Sequence, residues 1–386
     1  MGAALLPEQR AASVGSLGRE GSGLEGARTR RARGRLARDR DPADARRPTD
    51  GDPPRPCRRS SRCARSARSA LRVDLTHPRS RGRGRRGPAL SEGSASALTA
   101  RVVRATLKPL PRDAGKEARG RVLIVGGSLR YPGATLIASR AALRCGAGVV
   151  TVATARSVAE AIAGDDPNVT FFPLAEAQPG IVATGAAAQL SSFATDKTRA
   201  LLIGPGLAHG AGTDDFVAAV LRNARALATV IDADGLNALA RTEAWAELLP
   251  AKTILTPHDG EAARLAGRVV PAGAARVSFA ERHAREWHAV VALKGAVTIV
   301  TDGKKTYVHD LPNPTLGVGG SGDALGGAIA AFVARGLAPI AAAAVGVWVH
   351  GRAGALLAGE IGESGALATD IVDALPRALR EIVETR

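Results

Sequence analysis

Gly319, Gly320, Ser321 and Gly322 stand directly ahead of Asp323, and an apolar helical run follows them. Glycines let a backbone turn tightly and aim several N–H groups at one point. The start of a helix adds partial positive charge at the same place. Such a turn holds an anion, most often a phosphate. A carboxylate beside it, here Asp323, can take the proton from a hydroxyl that attacks that phosphate. The competing reading is a glycine-rich turn in which Asp323 merely caps the helix.

Other polar clusters are candidates for the same site. Lys294 follows an apolar run and precedes Gly295, a natural place for a phosphate-facing cation; a surface lysine in a hairpin is the alternative. His258 and Glu261 straddle a turn opened by Pro257, and Glu261 at a helix start is favourably placed electrostatically. A working Glu261 would hold Mg²⁺ through water near phosphates. Asp232, Asp234 and Asn237 suit a metal, a helix cap or a tether between loops, with capping and tethering weighted ahead. Gly126-Gly127-Ser128 reads as a strand-to-helix turn without the G-x-G-x-x-G spacing, which gives little support to a dehydrogenase.

These groups need elements to position them, and the apolar pattern supplies both kinds. Short apolar runs at 122–125, 149–152, 169–172, 200–203, 229–231 and 253–255 read as strands. Runs at 290–293 and 297–300 read as a strand pair around Lys294-Gly295. Helical patterns at 134–145, 157–163, 186–193 and 214–225 fall between the strands, and two or three helices close the chain. This alternation predicts an α/β fold with a mostly parallel sheet covered on both faces. Functional loops of such sheets lie at the strand C-terminal ends. Each of the strand-following motifs, from Gly126 to Lys294, falls there, which points to one composite site.

Residues 1–100 differ from the rest. They carry 23 Arg, no Lys and 10 acidic residues, so about +13 of the net +17 sits there. The composition lacks apolar periodicity and cannot offset its ordering entropy, so residues 1–97 are expected to be a disordered basic tail and residues 98–386 one folded domain. Three readings of the tail compete: a nucleic-acid arm, a targeting peptide, or translated upstream sequence of a GC-rich gene with the true start near Val102 or Val103. The last is favoured, because acidic residues and the lack of an apolar segment argue against targeting. Aromatic residues make up 3% of the chain, leaving little for base stacking, so nucleic acid is not an expected partner. Cys57, Cys63 and Cys145 form no disulfide framework or metal spacing, which fits a reduced, cytoplasmic setting. No run reaches the length of a membrane span.

Taken together the motifs resemble the ADP-dependent (S)-NAD(P)H-hydrate dehydratase family of the ribokinase-like superfamily. The resemblance rests on residues 120–128, 131–134, 141–148, 204–207, 232–237, 256–261, 294–298 and 319–323, in that order. It implies a ribokinase-like three-layer sandwich that repairs hydrated NADH and NADPH, with ADP and Mg²⁺. The implied chemistry is phosphorylation of the ring hydroxyl followed by phosphate loss. Carried across, Asp323 is the base and a substrate contact, and the amides of Gly319, Gly320, Ser321 and Gly322 form the anion hole. Lys294, Gly295, Ala296, Val297, Thr298 and Gly322 contact the AMP part; Ala134, Gly206 and His258 contact the hydrated dinucleotide. The resemblance also implies a homo-oligomer, as a tetramer, and a functional link to a separate epimerase. Departures are Asp259 where the family usually has proline, Ala208 where it usually has glycine, and the segment 115–120. A kinase for a vitamin-precursor alcohol of the hydroxymethylpyrimidine or thiazole type is the alternative, since the same Asp323 and anion hole would serve it.

Overall fold

The run Val122 to Val125 is buried at every position, as a strand covered on both faces must be. It lies at the centre of a computed structural model that describes residues 95–193, 197–210 and 212–384. In chain order the elements are β1 (Ala95–Ala97), α1 (Ala100–Thr106), α2 (Lys116–Arg119), β2 (Arg121–Val125), α3 (Gly133–Arg144), β3 (Val149–Ala155), α4 (Arg156–Ile162) and β4 (Thr170–Leu174). A hairpin, β5 (Glu176–Gln178) and β6 (Ile181–Val182), and a 3₁₀ stretch Thr184–Phe193 lead to β7 (Thr198–Ile203) and α5 (Thr213–Asn223). Then come β8 (Ala228–Ile231), α6 (Asp234–Arg241), β9 (Thr253–Leu255), α7 (Asp259–Ala266), α8 (Ala274–Glu286), β10 (Val290–Leu293), β11 (Val297–Thr301) and β12 (Thr306–Asp310). Three helices finish the chain: α9 (Ser321–Ala334), α10 (Pro339–Ile361) and α11 (Ala368–Glu384).

Ten strands form one sheet in the order β1-β12-β11-β10-β9-β8-β7-β2-β3-β4. Pairing is antiparallel only where β11 meets β10 and β12, so the sheet is mostly parallel. The chain builds outward from β2 through β3 to β4, then crosses to β7 on the other side. That reversal puts a crevice outside the C-terminal ends of β2 and β7. Alternate side chains feed two cores: Val122 and Ile124 join helices α1, α3, α9, α10 and α11, while Leu123 and Val125 join α4 to α8. This is the expected three-layer architecture. The first core is rich in alanine and glycine, so its helices approach closely. A Cβ on Gly327 of α9 would overlap the Ala138 carbonyl oxygen of α3.

Three expectations need correction. Ala95–Ala97, placed in the tail, form β1, which pairs in parallel with β12, and the Leu98 N–H continues the pairing to the Val308 carbonyl at 2.8 Å. Both β1 and the first residues of α1 precede Val102, the point favoured as a start. The rest of the tail expectation, with Cys57 and Cys63, lies outside the described residues. The stretch 186–193 is 3₁₀ rather than α-helical. And α10 is, at 23 residues, long and apolar enough to cross a membrane by length and composition. Here it is a core helix, with residues such as Ala342, Val345 and Val349 fully buried.

Candidate active site

Gly320 caps α9 with φ +88°, a conformation that favours glycine. A Cβ there would also come within 2.8 Å of the Ile137 side chain and 3.0 Å of Ala368. The Ser321 N–H turns inward to the Val318 carbonyl (3.2 Å), and Ala324 begins the helical ladder by donating to Gly320 (3.1 Å). Among the described residues the N–H groups of Gly319, Gly320, Gly322 and Asp323 have no acceptor. Four amides at a helix start are therefore open to an anion. Asp323 lies in the same first turn, and its carboxylate accepts no hydrogen bond among the described residues. Burial pushes it up to about 7, Asp232 adding to the effect and Lys294 opposing it. A carboxylate poised near neutrality suits a general base.

Lys294 emerges from the end of β10, its N–H bonded to the Pro257 carbonyl at 2.8 Å. Its ammonium lies 2.7 Å from Asp232 Oδ1, a residue 1% exposed, and 3.8 Å from Glu261 Oε2. Burial works against the lysine's charge, but Asp232, Glu261 and Asp323 hold its pKa above the usual value. The ammonium borders the glycine turn: a Cβ on Gly322 would be 3.5 Å from Nζ. The lysine backbone is held by Arg276, which donates to the Lys294 carbonyl at 2.8 Å and pairs with Asp259.

His258 and Glu261 form a capping box on α7. His258 Nδ1 accepts from the N–H groups of Gly260 (2.9 Å) and Glu261 (3.3 Å), and Glu261 Oε2 accepts from the His258 N–H at 2.8 Å. Burial, with Lys294 opposing and Asp232 assisting, pushes Glu261 up to about 7. Among the described residues no three His, Cys, Asp or Glu side chains cluster as a metal cage. Glu261 and Asp232 are oxygen donors, suited to a hard cation held mainly by phosphate oxygens and water.

A cavity of about 700 Å³ opens on one side of the turn, and Lys294, Gly295, Ala296, Thr298, Gly322 and His258 line it. Val297, at the start of β11, does not. Ala134 and Gly206, which do not line it, pack on each other: a Cβ on Gly206 would meet the Ala134 Cβ at 2.8 Å and the Tyr131 carbonyl at 2.7 Å. Gly206 takes φ +63°. The Gly127 N–H bonds to the Pro205 carbonyl at 2.8 Å, locking the β2 and β7 loops at the crevice. Ala208 is held at φ +58°, with its N–H on Asp234 Oδ2 at 2.9 Å.

Tethering holds for Asp234 and Asn237: Arg264 donates to Asn237 Oδ1, which sits beside Asp234. Asp232 tethers too: its carboxylate joins the β8 loop to the end of β10 through Lys294. Sequence reasoning missed His350, whose Nε2 lies 3.0 Å from Ser321 Oγ, and His309, packed on Gly351 in the cavity wall. The available signal was an imidazole inside an otherwise apolar helix.

Residues 122–377 match the family model described as NAD(P)H-hydrate dehydratase. The ADP-dependent (S)-NAD(P)H-hydrate dehydratase of Xanthomonas campestris is 42% identical over 289 residues, 73% of this chain and 95% of that protein. The bifunctional NAD(P)H-hydrate repair enzyme Nnr of Moorella thermoacetica is 38% identical over 74% of this chain. The chain spans about half the length of that relative, 54% of it. Among solved structures, the ADP/ATP-dependent NAD(P)H-hydrate dehydratase of Bacillus subtilis, co-crystallised with ATP and Mg²⁺, superposes with a TM-score of 0.61 at 28% identity, covering 74% of this chain and 98% of that one. A ribokinase-like superfamily protein of Enterococcus faecalis gives a TM-score of 0.64 at 24% identity, over 75% of this chain and 96% of that one, a likeness of fold. By the extent of these matches, this chain belongs to the NAD(P)H-hydrate dehydratase family and has the ribokinase-like fold.

Proposed function

We propose that this chain removes water from the S epimers of hydrated NADH and NADPH, using ADP as phosphoryl donor and Mg²⁺. The observation that carries the reading is the position of Asp323. Its unbonded carboxylate, near neutrality, shares one turn with four open amides, beside the 700 Å³ cavity that Ser321 and Gly322 line. ADP would lie in the cavity with its terminal phosphate at the turn, and Lys294 would move from Asp232 toward that phosphate. Glu261, through water, would hold Mg²⁺ beside the phosphates, where the ion would neutralise their charge.

Asp323 takes the proton of the ring hydroxyl as that oxygen bonds to the terminal phosphorus of ADP. The bond from phosphorus to AMP breaks. Hydroxide leaves poorly and a phosphate ester leaves well, so the second stage breaks the carbon–oxygen bond. Loss of a ring proton restores the double bond. The products are the reduced cofactor, AMP and phosphate, and the oxygen removed ends in the phosphate. Incubation with (S)-NADHX, Mg²⁺ and ADP should restore absorbance at 340 nm with equal amounts of AMP, and ATP should serve less well. Recovery without any nucleotide would refute phosphoryl transfer.

The same reading makes the chain a cytoplasmic homo-oligomer, a tetramer, that relies on a separate epimerase for the R epimer. Light scattering on the purified protein tests the tetramer. A racemic substrate that is consumed only to half without added epimerase tests the link.

A further inference from the structure

Few side chains hold the anion-binding turn. Gly319, Gly320 and Gly322 carry none, so from 319 to 322 only Ser321 can anchor the segment by a side chain. Ser321 is 5% exposed and its hydroxyl lies 3.0 Å from His350 Nε2 on the neighbouring helix α10. His350 is itself 8% exposed. Both residues border the cavity. Two positions along a helix turn a side chain through roughly 200°, so fixing Ser321 toward α10 sends Asp323 to the opposite side. There Asp232 and Lys294 act on its carboxylate, while Lys294 also acts on His350 from the shared cavity.

We propose that His350 is a positioning residue: through its hydrogen bond to Ser321 it sets the rotation of the first turn of α9, and so the aim of both the open amides and Asp323. The inference rests on the function proposed above for the activity it affects, but the brace itself is structural and can be read without substrate. Burial pushes the imidazole down to about 4, so near neutral pH the brace is an uncharged hydrogen bond that does not compete with the phosphate for the amides. Either partner of the bond can donate, and the positional role is the same in both cases. The backbone also holds the turn, through the Ser321 N–H on the Val318 carbonyl and the close packing of Gly320 on Ile137 and Ala368, but among the described residues the Ser321 hydroxyl makes the side-chain hydrogen bond of the segment. The Asp323 carboxylate has no hydrogen bond among the described residues that would hold it in place.

The test compares Ser321→Ala, His350→Phe, the double variant and His350→Gln, which retains a hydrogen-bonding nitrogen near the position of Nε2. Ser321→Ala removes one atom and guards against a misfolded His350→Phe. Two readouts are taken on the full chain: steady-state rates with (S)-NADHX and ADP, and hydrogen exchange of the peptide spanning 317–325 without ligand. The expected result is about a tenfold loss of kcat in each single variant, the size of one hydrogen bond. KM for the hydrated dinucleotide should stay within about threefold. The double variant should be no worse than the singles, since both remove one interaction, and Gln should recover most of the rate. Exchange in 317–325 should rise about tenfold or more, with α10 still protected. Unchanged exchange in Ser321→Ala and His350→Phe overturns the brace, whatever the activity. Unchanged kcat in both variants overturns its role in turnover, while a wild-type protein inert toward (S)-NADHX refutes the proposed function and leaves exchange to decide the brace.

Discussion

Replacing Asp323 by asparagine should separate catalysis from stability. Burial first, then the charge on Asp232, raises this carboxyl from 3.8 to about 7. A group raised in the folded state holds its proton more tightly there than in the unfolded chain. Its contribution is fully present below the unfolded pKa and is lost as pH rises through the folded one. Each pH unit between 3.8 and about 7 therefore removes about 1.4 kcal/mol, a ceiling of about 4 kcal/mol above neutrality. Partial solvent access to a half-buried carboxylate lowers this to about 2–4 kcal/mol. Asparagine has the same shape, stays neutral at every pH and escapes the cost. Urea unfolding of the wild type and Asp323→Asn at pH 4, 6 and 8 should show no difference at the lowest pH and a growing gain for the variant above it. Turnover should fall by about 10²–10⁴, the usual worth of a general base. In the wild type kcat should rise with pH to a plateau above about 7, as the base loses its proton. A variant no more stable than the wild type at pH 8, or equally favoured at pH 4 and 8, refutes the electrostatic argument. Near-normal turnover would reduce Asp323 to a helix cap.

Lys294→Ala should weaken ADP binding at least tenfold by calorimetry and destabilise the fold by on the order of 3 kcal/mol, because it leaves Asp232 charged and buried. Adding Asp232→Asn to it should restore most of the stability in urea but none of the ADP affinity. Ala208→Gly should stabilise the protein by up to about 1 kcal/mol in the same assay, since Ala208 is held at φ +58°. Deleting residues 1–90 should leave kcat within about twofold, because the site lies in the fold; a cut at 98 should lower the melting temperature by removing β1 from the sheet edge.

Local chemistry was legible where it depended on local spacing. The glycines around Ser321 and the single carboxylate after them define a helix start without any knowledge of the fold. The apolar runs from Val122 to Leu293 give the parallel sheet, because strands buried on both faces read as continuous apolar stretches. What the chain hides is what distant segments supply to one another. Lys294 and Asp232 are 62 positions apart, and nothing near Asp232 distinguishes a lysine's partner from the tethers at Asp234 and Asn237. Ala95–Ala97 has small residues of low strand preference, and its backbone pairs only because β12 offers a free edge. Helix α8 eluded the pattern because its thirteen residues bury few side chains, chiefly Phe279, Ala280, His283 and Ala284, among arginines and glutamates.

The contact of Gly327 with the Ala138 carbonyl makes α3 and α9 neighbours backbone to backbone. Side chains between helices act as bearings, swapping rotamers while the helices slide. At Gly327 a backbone oxygen stands where a side chain would, so the two helices act there as the jaws of a gauge. One jaw begins beside Ala134 and the other begins with the turn that carries Asp323. The gap between them is narrowed by that backbone contact. A methyl group at 327 would open that gauge by wedging the jaws apart at their crossing. Because the atoms it would meet are backbone, such a change would shift the start of α9, with the turn that carries Asp323, relative to the start of α3.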